Sequence, residues 1–219
     1  MVIESRKKSL NNNSVVKSII FIIVVIVVVS LIGIASYYIL INNDNKKTKE
    51  TNKSIDEIGG YNIRLNERDS DEYKAEFTNL KNILASSSID NDKYAESVAK
   101  LFVIDLYTMD TKINKYDIGG LELVFPEFRD NYSVNVTNSL YKYLNDNTDG
   151  KRNQNLPHVS KVDVIKTDKR EYTINGVATP YSAYVFNMKV TYKYDLGYDS
   201  EVEVIVVFKD SFMYVVEKN

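Results

Sequence analysis

The chain has 219 residues, with 28 Lys and Arg against 30 Asp and Glu, one His and no Cys. A net charge of −2 without a basic excess argues against direct nucleic-acid binding, which usually requires a basic surface. The absence of cysteine excludes disulfides, thiolate nucleophiles and zinc–thiolate sites. The length allows one domain of ordinary size in addition to an N-terminal segment.

The N-terminal region contains a long apolar segment. Residues Ile19 to Ile41 carry no charge, and as a helix they would extend over roughly 34 Å, enough to cross a hydrocarbon layer of about 30 Å. The sequence therefore predicts one transmembrane helix over residues 18–41, which would bind the lipid bilayer. A cleaved signal peptide is the alternative, and Gly33 and Ala35 could form part of its cleavage site. However, the segment is longer than a signal requires, and the bulky Tyr37 and Tyr38 stand at its end, where a signal peptidase needs small residues.

The Lys and Arg residues on the two sides of this segment are equal in number. Four basic residues precede it and four follow it, namely Arg6, Lys7, Lys8, Lys17, Lys46, Lys47, Lys49 and Lys53. A large C-terminal domain is translocated with little regard to its charge, so we expect residues 1–17 in the cytoplasm and the domain outside. The expected location is the cell membrane, with a single pass.

Residues 42–70 are polar and rich in Asn, Lys and Glu, which predicts a flexible stalk. Residues 71–219 then form the predicted domain. Apolar spacing predicts helices over residues 71–86, from Asp90 or Asp92 to about 109, and over 132–144. The third helix depends on an apolar side formed by Val136, Leu140, Tyr143 and Leu144.

From Val159 onward the apolar period changes to two, which is typical of strands. Asn175-Gly176 predicts a tight hairpin turn, and further turns are expected at Gly197 and at Asp210-Ser211. Short turns join antiparallel strands, so the fold class is α+β, with three helices on one side of a curved antiparallel sheet of about four strands.

Three helices followed by long alternating strands resemble the nuclear-transport-factor-2-like cone over residues 71–219. Together with the tail, membrane segment and stalk, the layout resembles the bitopic scaffold component of type IV secretion and conjugation machines. The segments Lys100–Gly120 and Leu156–Val159 are similar to sequences of small membrane proteins from Gram-positive mobile elements. The resemblance implies a bacterial assembly protein without a catalytic centre, with itself and other envelope or transfer-machinery proteins as partners.

Cone folds of this type also include isomerases and dehydratases that use Asp, His and Tyr in a pocket between sheet and helices. The candidates here are Asp105, beside the apolar stripe of the second helix, and His158, the single histidine, with Asp110 and Asp117 as further acids. A buried Asp105 could act as a base. The alternative is that Asp105 lies at the edge of the stripe, bonded to water, a tyrosine or a backbone amide, and then Asp105→Asn would leave a scaffold largely intact.

Three tyrosines, Tyr184, Tyr192 and Tyr194, are expected on one face of a long strand, where they could line a ligand cleft, form a subunit interface or belong to the core. One His without Cys does not suit an ordinary transition-metal site, and Asp117–Gly120 lacks the Lys-Ser/Thr of a phosphate loop. We expect no cofactor and no enzymatic activity. Two hypotheses remain, an assembly scaffold and a ligand-binding or enzymatic domain.

Overall fold

The computed structural model describes residues 54–174 and 179–219. These residues contain three α-helices, Asp71–Leu84 (α1), Asn91–Tyr107 (α2) and Arg129–Asn138 (α3). Short 3-10 turns occupy Met109–Thr111, Leu121–Leu123 and Pro126–Phe128. The strands are Ser54–Ile58 (β1), Ile63–Asn66 (β2), Val159–Tyr172 (β3), Tyr181–Tyr192 (β4), Glu201–Lys209 (β5) and Phe212–Lys218 (β6).

The first two predicted helices are present and begin at side-chain caps. The Ser70 hydroxyl accepts a hydrogen bond from the Tyr73 amide, and the Asp90 carboxylate accepts from the amides that open α2. Such caps satisfy amide groups that have no partner within the helix. Both helices end two residues before their predicted limits, at Leu84 and Tyr107.

The third helix is shorter than predicted, and its C-terminal part is replaced by turns. The helix ends at Asn138, where Ser139 leaves the helical region with φ −119° and ψ −90°. Tyr141 is then free to turn inward, and its hydroxyl donates to the Leu106 carbonyl at 2.7 Å. Tyr143, which the spacing places on the apolar side, is 76% exposed. The apolar residues between positions 136 and 144 therefore belong partly to the last turn of α3 and partly to the turns that follow it.

The four long strands form one antiparallel sheet in the order β3-β4-β5-β6. One face of the sheet packs on α2, with Phe186, Met188 and Val204 at most 1% exposed. The expected alternation is lost in β5, because Ile205 and Val207 on the opposite face are also buried. Phe125 contributes to this second layer through contacts with Tyr181 and Tyr214, at ring-centroid distances of 5.7 and 6.1 Å. The predicted turn at 175–176 lies outside the described residues.

Residues 54–66, which the sequence assigns to the stalk, form a second, two-stranded antiparallel sheet. Its apolar residues Ile58, Tyr61, Ile63 and Leu65 are buried in the core of the domain. The Tyr61 hydroxyl donates to the Met213 carbonyl at 2.7 Å and accepts from the Met213 amide at 2.8 Å, which joins the hairpin to β6. The domain thus begins well before residue 71.

The predicted fold class is therefore wrong in its stated form. The domain contains two sheets rather than one, because the short apolar positions of β1 and β2 complete the core. In addition, within residues 54–174 and 179–219 no helix has the length and apolar character needed to cross a membrane. The segment 18–41 lies outside the described residues.

Candidate functional site

Asp105 lies in the last turns of α2, and both of its carboxylate oxygens have partners. Lys112 donates its ammonium to Oδ1, and the amide of Gly120 donates to Oδ2 at 2.7 Å. The Lys112 side chain is 7% exposed and that of Asp105 is 24% exposed. The carboxylate is therefore partly buried and joins α2 to the segment that follows it.

The turn at Gly119-Gly120 makes this arrangement possible. A Cβ atom on Gly119 would lie 2.1 Å from the Asp105 carbonyl oxygen, so only glycine allows the two backbones to approach this closely. Gly120 has φ 72°, and a Cβ atom there would meet the Phe102 ring at 2.5 Å. The sequence indicates a turn here, but not the backbone amide that the turn directs at Asp105.

The charged groups around Asp105 form a network. Burial lowers the pKa of the Lys112 ammonium, but the carboxylates of Asp105 and Asp117 outweigh it, and the net pKa is raised above 10.5. Burial also raises the pKa of the Asp69 carboxyl, and the hydrogen bond from the Asn66 amide, which lowers this pKa, only partly offsets the effect. The pKa of the Tyr73 hydroxyl is raised mainly by burial and further by the nearby carboxylates of Asp105 and Asp69.

Asp117 extends this network toward the surface. Its carboxylate lies 3.0 Å from Arg68 and accepts a hydrogen bond from the Ile113 amide at 2.9 Å. A cavity of about 490 Å³ lies beside Asp105 and Asp117, between β2, α1 and the segment 116–123. Because Lys112 and Gly120 each bind one oxygen of Asp105, the carboxylate joins α2 to the segment that follows it at the wall of this cavity.

His158 lies immediately before β3, between two carboxylates. Its Nδ1 is 2.8 Å from Asp110 Oδ2, and its Nε2 is 3.4 Å from Glu72 Oε2. The Glu72 oxygen is buried and has no partner that meets hydrogen-bond geometry. The histidine thus connects α1 with the 3-10 turn after α2.

The structure does not bring Asp105 and His158 together. Among the described residues, no hydrogen bond or ion pair joins them, and each has its own acidic or basic neighbours. Within the same residues, no group of three or more His, Cys, Asp or Glu side chains could hold a metal ion. Neither candidate is therefore part of a shared acid–base pair.

The three tyrosines of the expected interaction surface have different environments. Tyr184 is partly buried and stacks on Phe186, and Lys169 lies 4.8 Å from its ring centroid. Tyr192 contacts Tyr107, and its hydroxyl donates to the Asp199 carbonyl at 2.9 Å. Tyr194 lies beyond the end of β4 and is 71% exposed. Of these three, Tyr194 is the one available to a partner.

A second cavity, of about 390 Å³, lies between α2, α3 and β6. It could not be predicted from the sequence, because its walls come from three separate segments. Apolar side chains form most of its lining, among them Phe102, Leu106, Phe128, Tyr132, Leu140 and Val215. The unbroken apolar run from Phe212 to Val216 is a local signal that β6 has apolar neighbours on both faces.

Comparison with known proteins gives no match: no protein-family model fits the chain, and neither curated proteins nor solved structures include a significantly similar one. The resemblance to the nuclear-transport-factor-2-like cone and to the type IV secretion scaffold therefore stays a prediction. A function has to be inferred from the geometry of the described residues.

Proposed function

We propose that this protein is an assembly or scaffold protein that acts through protein–protein contacts. In this proposal the apolar residues 19–41 hold it at the cell membrane, with its N-terminus in the cytoplasm and its folded domain outside. Its partners would be further copies of itself and other envelope proteins, in a conjugative transfer or type IV secretion apparatus. No cofactor or nucleic acid takes part.

The observation that carries the proposal is the packing between the four-stranded sheet and α2. Val98, Leu101 and Phe102 of α2 are fully buried, as are Met188 and Val204 on the facing strands. The enzymatic hypothesis requires an open pocket in this space, with a polar group at its base. Here these side chains form the core, and the cavity between α2, α3 and β6 has neither Asp105 nor His158 in its lining.

The positions of the candidate catalytic residues also support an assembly role. Asp105 is bound by Lys112 and Gly120, and His158 lies between Asp110 and Glu72. By contrast, Tyr194 and Leu196 expose apolar surface in the β4–β5 connection, with exposed fractions of 71% and 39%. Exposed aromatic side chains of this kind are enriched in protein interfaces.

The test is photo-crosslinking of the full-length chain in its own membranes. The photoreactive residue p-benzoylphenylalanine replaces Tyr194 in one variant and Tyr116 in another, because both tyrosines are 71% exposed. We expect the variant at 194 to capture its own chain or specific envelope proteins, identified by mass spectrometry. Capture that is equally weak at both positions, with no specific partner, would contradict an assembly role for this surface.

The second cavity favours one alternative, binding of a small apolar ligand. Its volume of about 390 Å³ and its apolar lining lie in the range of ligand pockets. A fluorescent apolar probe that binds the full-length folded protein, and is lost in Leu140→Asp but not in the exposed control Tyr143→Asp, would support this alternative. Equal binding by both variants would remove it.

A further inference from the structure

The outer edge of β3 is a free edge of the four-stranded sheet among the described residues. β3 pairs with β4 on one side, and the described strand order places it at the end of the sheet. Every residue from Lys166 to Glu171 is exposed. An edge strand presents unpaired amide and carbonyl groups, which another extended strand can bind.

A bulge arranges the charges of β3 on a single face. The pairing with β4 shifts between Val164 and Lys166, so that Ile165 is the extra residue. Because of this shift, the five side chains of β3 that pair with residues 191, 189, 187, 185 and 183 of β4 are alternately basic and acidic. In order, they are Lys161, Asp163, Lys166, Asp168 and Arg170.

The middle of the strand carries apolar surface between these charges. Ile165 is 60% exposed, and Val164 beside it is partly buried. The charged side chains are accessible as well, with exposed fractions of 66% for Lys161 and 46% for Asp163. An exposed branched residue at the centre of an accessible edge strand is a typical position for strand addition.

We propose that β3 pairs antiparallel with β3 of a second copy of this chain, about a two-fold axis at Val164. In this register, Lys161 lies opposite Asp168 of the second copy, and Asp163 lies opposite Lys166 of the second copy. Val164 faces Val164, and Ile165 remains outside the pairing, as it does in the pairing with β4. The symmetry generates each charge pair twice.

The alternating signs select this register against its neighbours. A shift by two positions would place Lys161 opposite Arg170, Asp163 opposite Asp168, and Lys166 opposite its own copy. Like charges directly across a strand pair are unfavourable. Edge charges usually prevent strand pairing, but in this order they reject one set of registers and allow another.

The proposed dimer is one contact of the assembly proposed above. It rests on that proposed function, because both chains have to be anchored in the same membrane. A pairing of about eight residues buries less surface than a stable soluble complex requires. Confinement of both chains to one surface raises their effective concentration and compensates for weak intrinsic affinity.

Single cysteines in the full-length chain test the register directly, because the natural sequence has no cysteine. Directly opposed residues in an antiparallel pair have Cα atoms roughly 4.5–5.5 Å apart, which suits a disulfide. We expect Val164→Cys to form a disulfide-linked dimer on mild oxidation in membranes. Glu171→Cys, on the same strand but away from the axis, should remain monomeric.

The opposite pattern would overturn the proposal. A dimer through Glu171→Cys, or none through Val164→Cys, excludes a two-fold axis at Val164. Thr167→Cys distinguishes a second register of compatible charge, in which Asp163 faces Arg170 of the second copy. Crosslinking at 167 in place of 164 would therefore overturn the proposed register.

A charge exchange provides an independent test with a matched rescue. In the Val164→Cys background, Asp163→Lys places like charges opposite each other twice, so we expect about tenfold less crosslinked dimer. The double change Asp163→Lys with Lys166→Asp restores opposite signs and should restore the dimer. Failure of the double change to restore it would overturn the role of these charges.

Failure of this dimer and failure of the assembly function give different results. If Val164→Cys stays monomeric while photo-crosslinking at position 194 captures specific envelope proteins, the dimer is rejected and the assembly function stands. If the β3 dimer forms but position 194 captures no specific protein, the pairing is supported and the proposed contact of the Tyr194 surface with envelope proteins is rejected.

Discussion

The same residue types, Asp and Lys, form ion pairs in two very different parts of this domain. The side chains of Lys112 and Asp105 are 7% and 24% exposed, whereas those of Lys166 and Asp168 on β3 are 64% and 50% exposed. Water screens the second pair much more strongly than the first. Burial therefore decides which acidic residues hold the fold and which remain available to a partner.

The buried pair depends on both of its members. A charge left alone in the interior has lost its hydration and has no compensating partner, so removing one member is costly. The exposed pairs on β3 contribute little to folding, because each charge is solvated in any case. A change of pH and single substitutions in each region should therefore separate the two kinds of pair.

High pH should have the largest effect, because it acts on several buried groups at once. The pKa of Lys112 is raised above 10.5, and those of Tyr132 and Tyr141 are raised well above 10.0. In the window between the unfolded and folded pKa values, the folded state binds more protons than the unfolded state, so stability falls as pH rises. We expect cooperative unfolding above about pH 10 in the full-length chain.

Circular dichroism and tyrosinate absorbance, followed together, measure this transition. The exposed tyrosines should ionise first, and the remaining tyrosinate signal should appear together with the loss of secondary structure. Full ionisation of all tyrosines while the secondary structure is intact would show that the burial of these groups does not contribute to stability.

Asp105→Asn should be the most damaging single substitution in either region. It leaves the Lys112 ammonium buried without its carboxylate, and we expect a loss of about 3–5 kcal/mol in the free energy of unfolding. The structure thus changes the sequence-based expectation that this substitution would leave a scaffold intact. Asp168→Asn is the matched control, since it makes the same chemical change in an exposed pair.

Denaturant unfolding of both variants gives the comparison. The control should differ from the natural chain by less than about 0.5 kcal/mol. Similar losses in the two variants would mean that burial does not distinguish the two ion pairs. If Asp105→Asn leaves the free energy of unfolding unchanged, Asp105 becomes a candidate functional carboxylate again.

Gly119→Ala should destabilise the domain by about 3 kcal/mol, because the new Cβ would lie 2.1 Å from the Asp105 carbonyl oxygen. The backbone of α2 cannot move aside without disturbing the network around Lys112. Gly59→Ala is the control, since no atom lies within 4 Å of a Cβ atom there. Equal melting temperatures for the two variants would contradict the close approach of the two backbones.

The sequence could predict elements with a strong and regular period, but not contacts between distant segments. Helices α1 and α2 follow clear apolar stripes, whereas β1 and β2 are short and carry charges such as Asp56 and Arg64. The Gly120 amide on Asp105 and the Glu72 carboxylate beside His158 depend on how the chain folds back, which spacing alone cannot give.

The bulge in β3 is a further feature that local patterns do not reveal. Simple alternation would place Asp163 and Lys166 on opposite faces, since they are an odd number of positions apart. The extra residue Ile165 returns Lys166 to the face of Asp163, and this produces the alternating charges of the proposed edge. A register shift of this kind depends on the partner strand.

Lys166→Ala should have the smallest effect on folding, less than about 0.5 kcal/mol, because its partner Asp168 remains half exposed and solvated. Denaturant unfolding at low and high salt measures it, and the small difference should disappear at high salt because exposed charges are screened. A loss above about 1 kcal/mol that persists at high salt would mean that the β3 charges stabilise the domain itself. If the stability of the domain does not depend on Lys166, its ammonium can leave Asp168 and pair with an acidic residue of a second chain at little cost to stability.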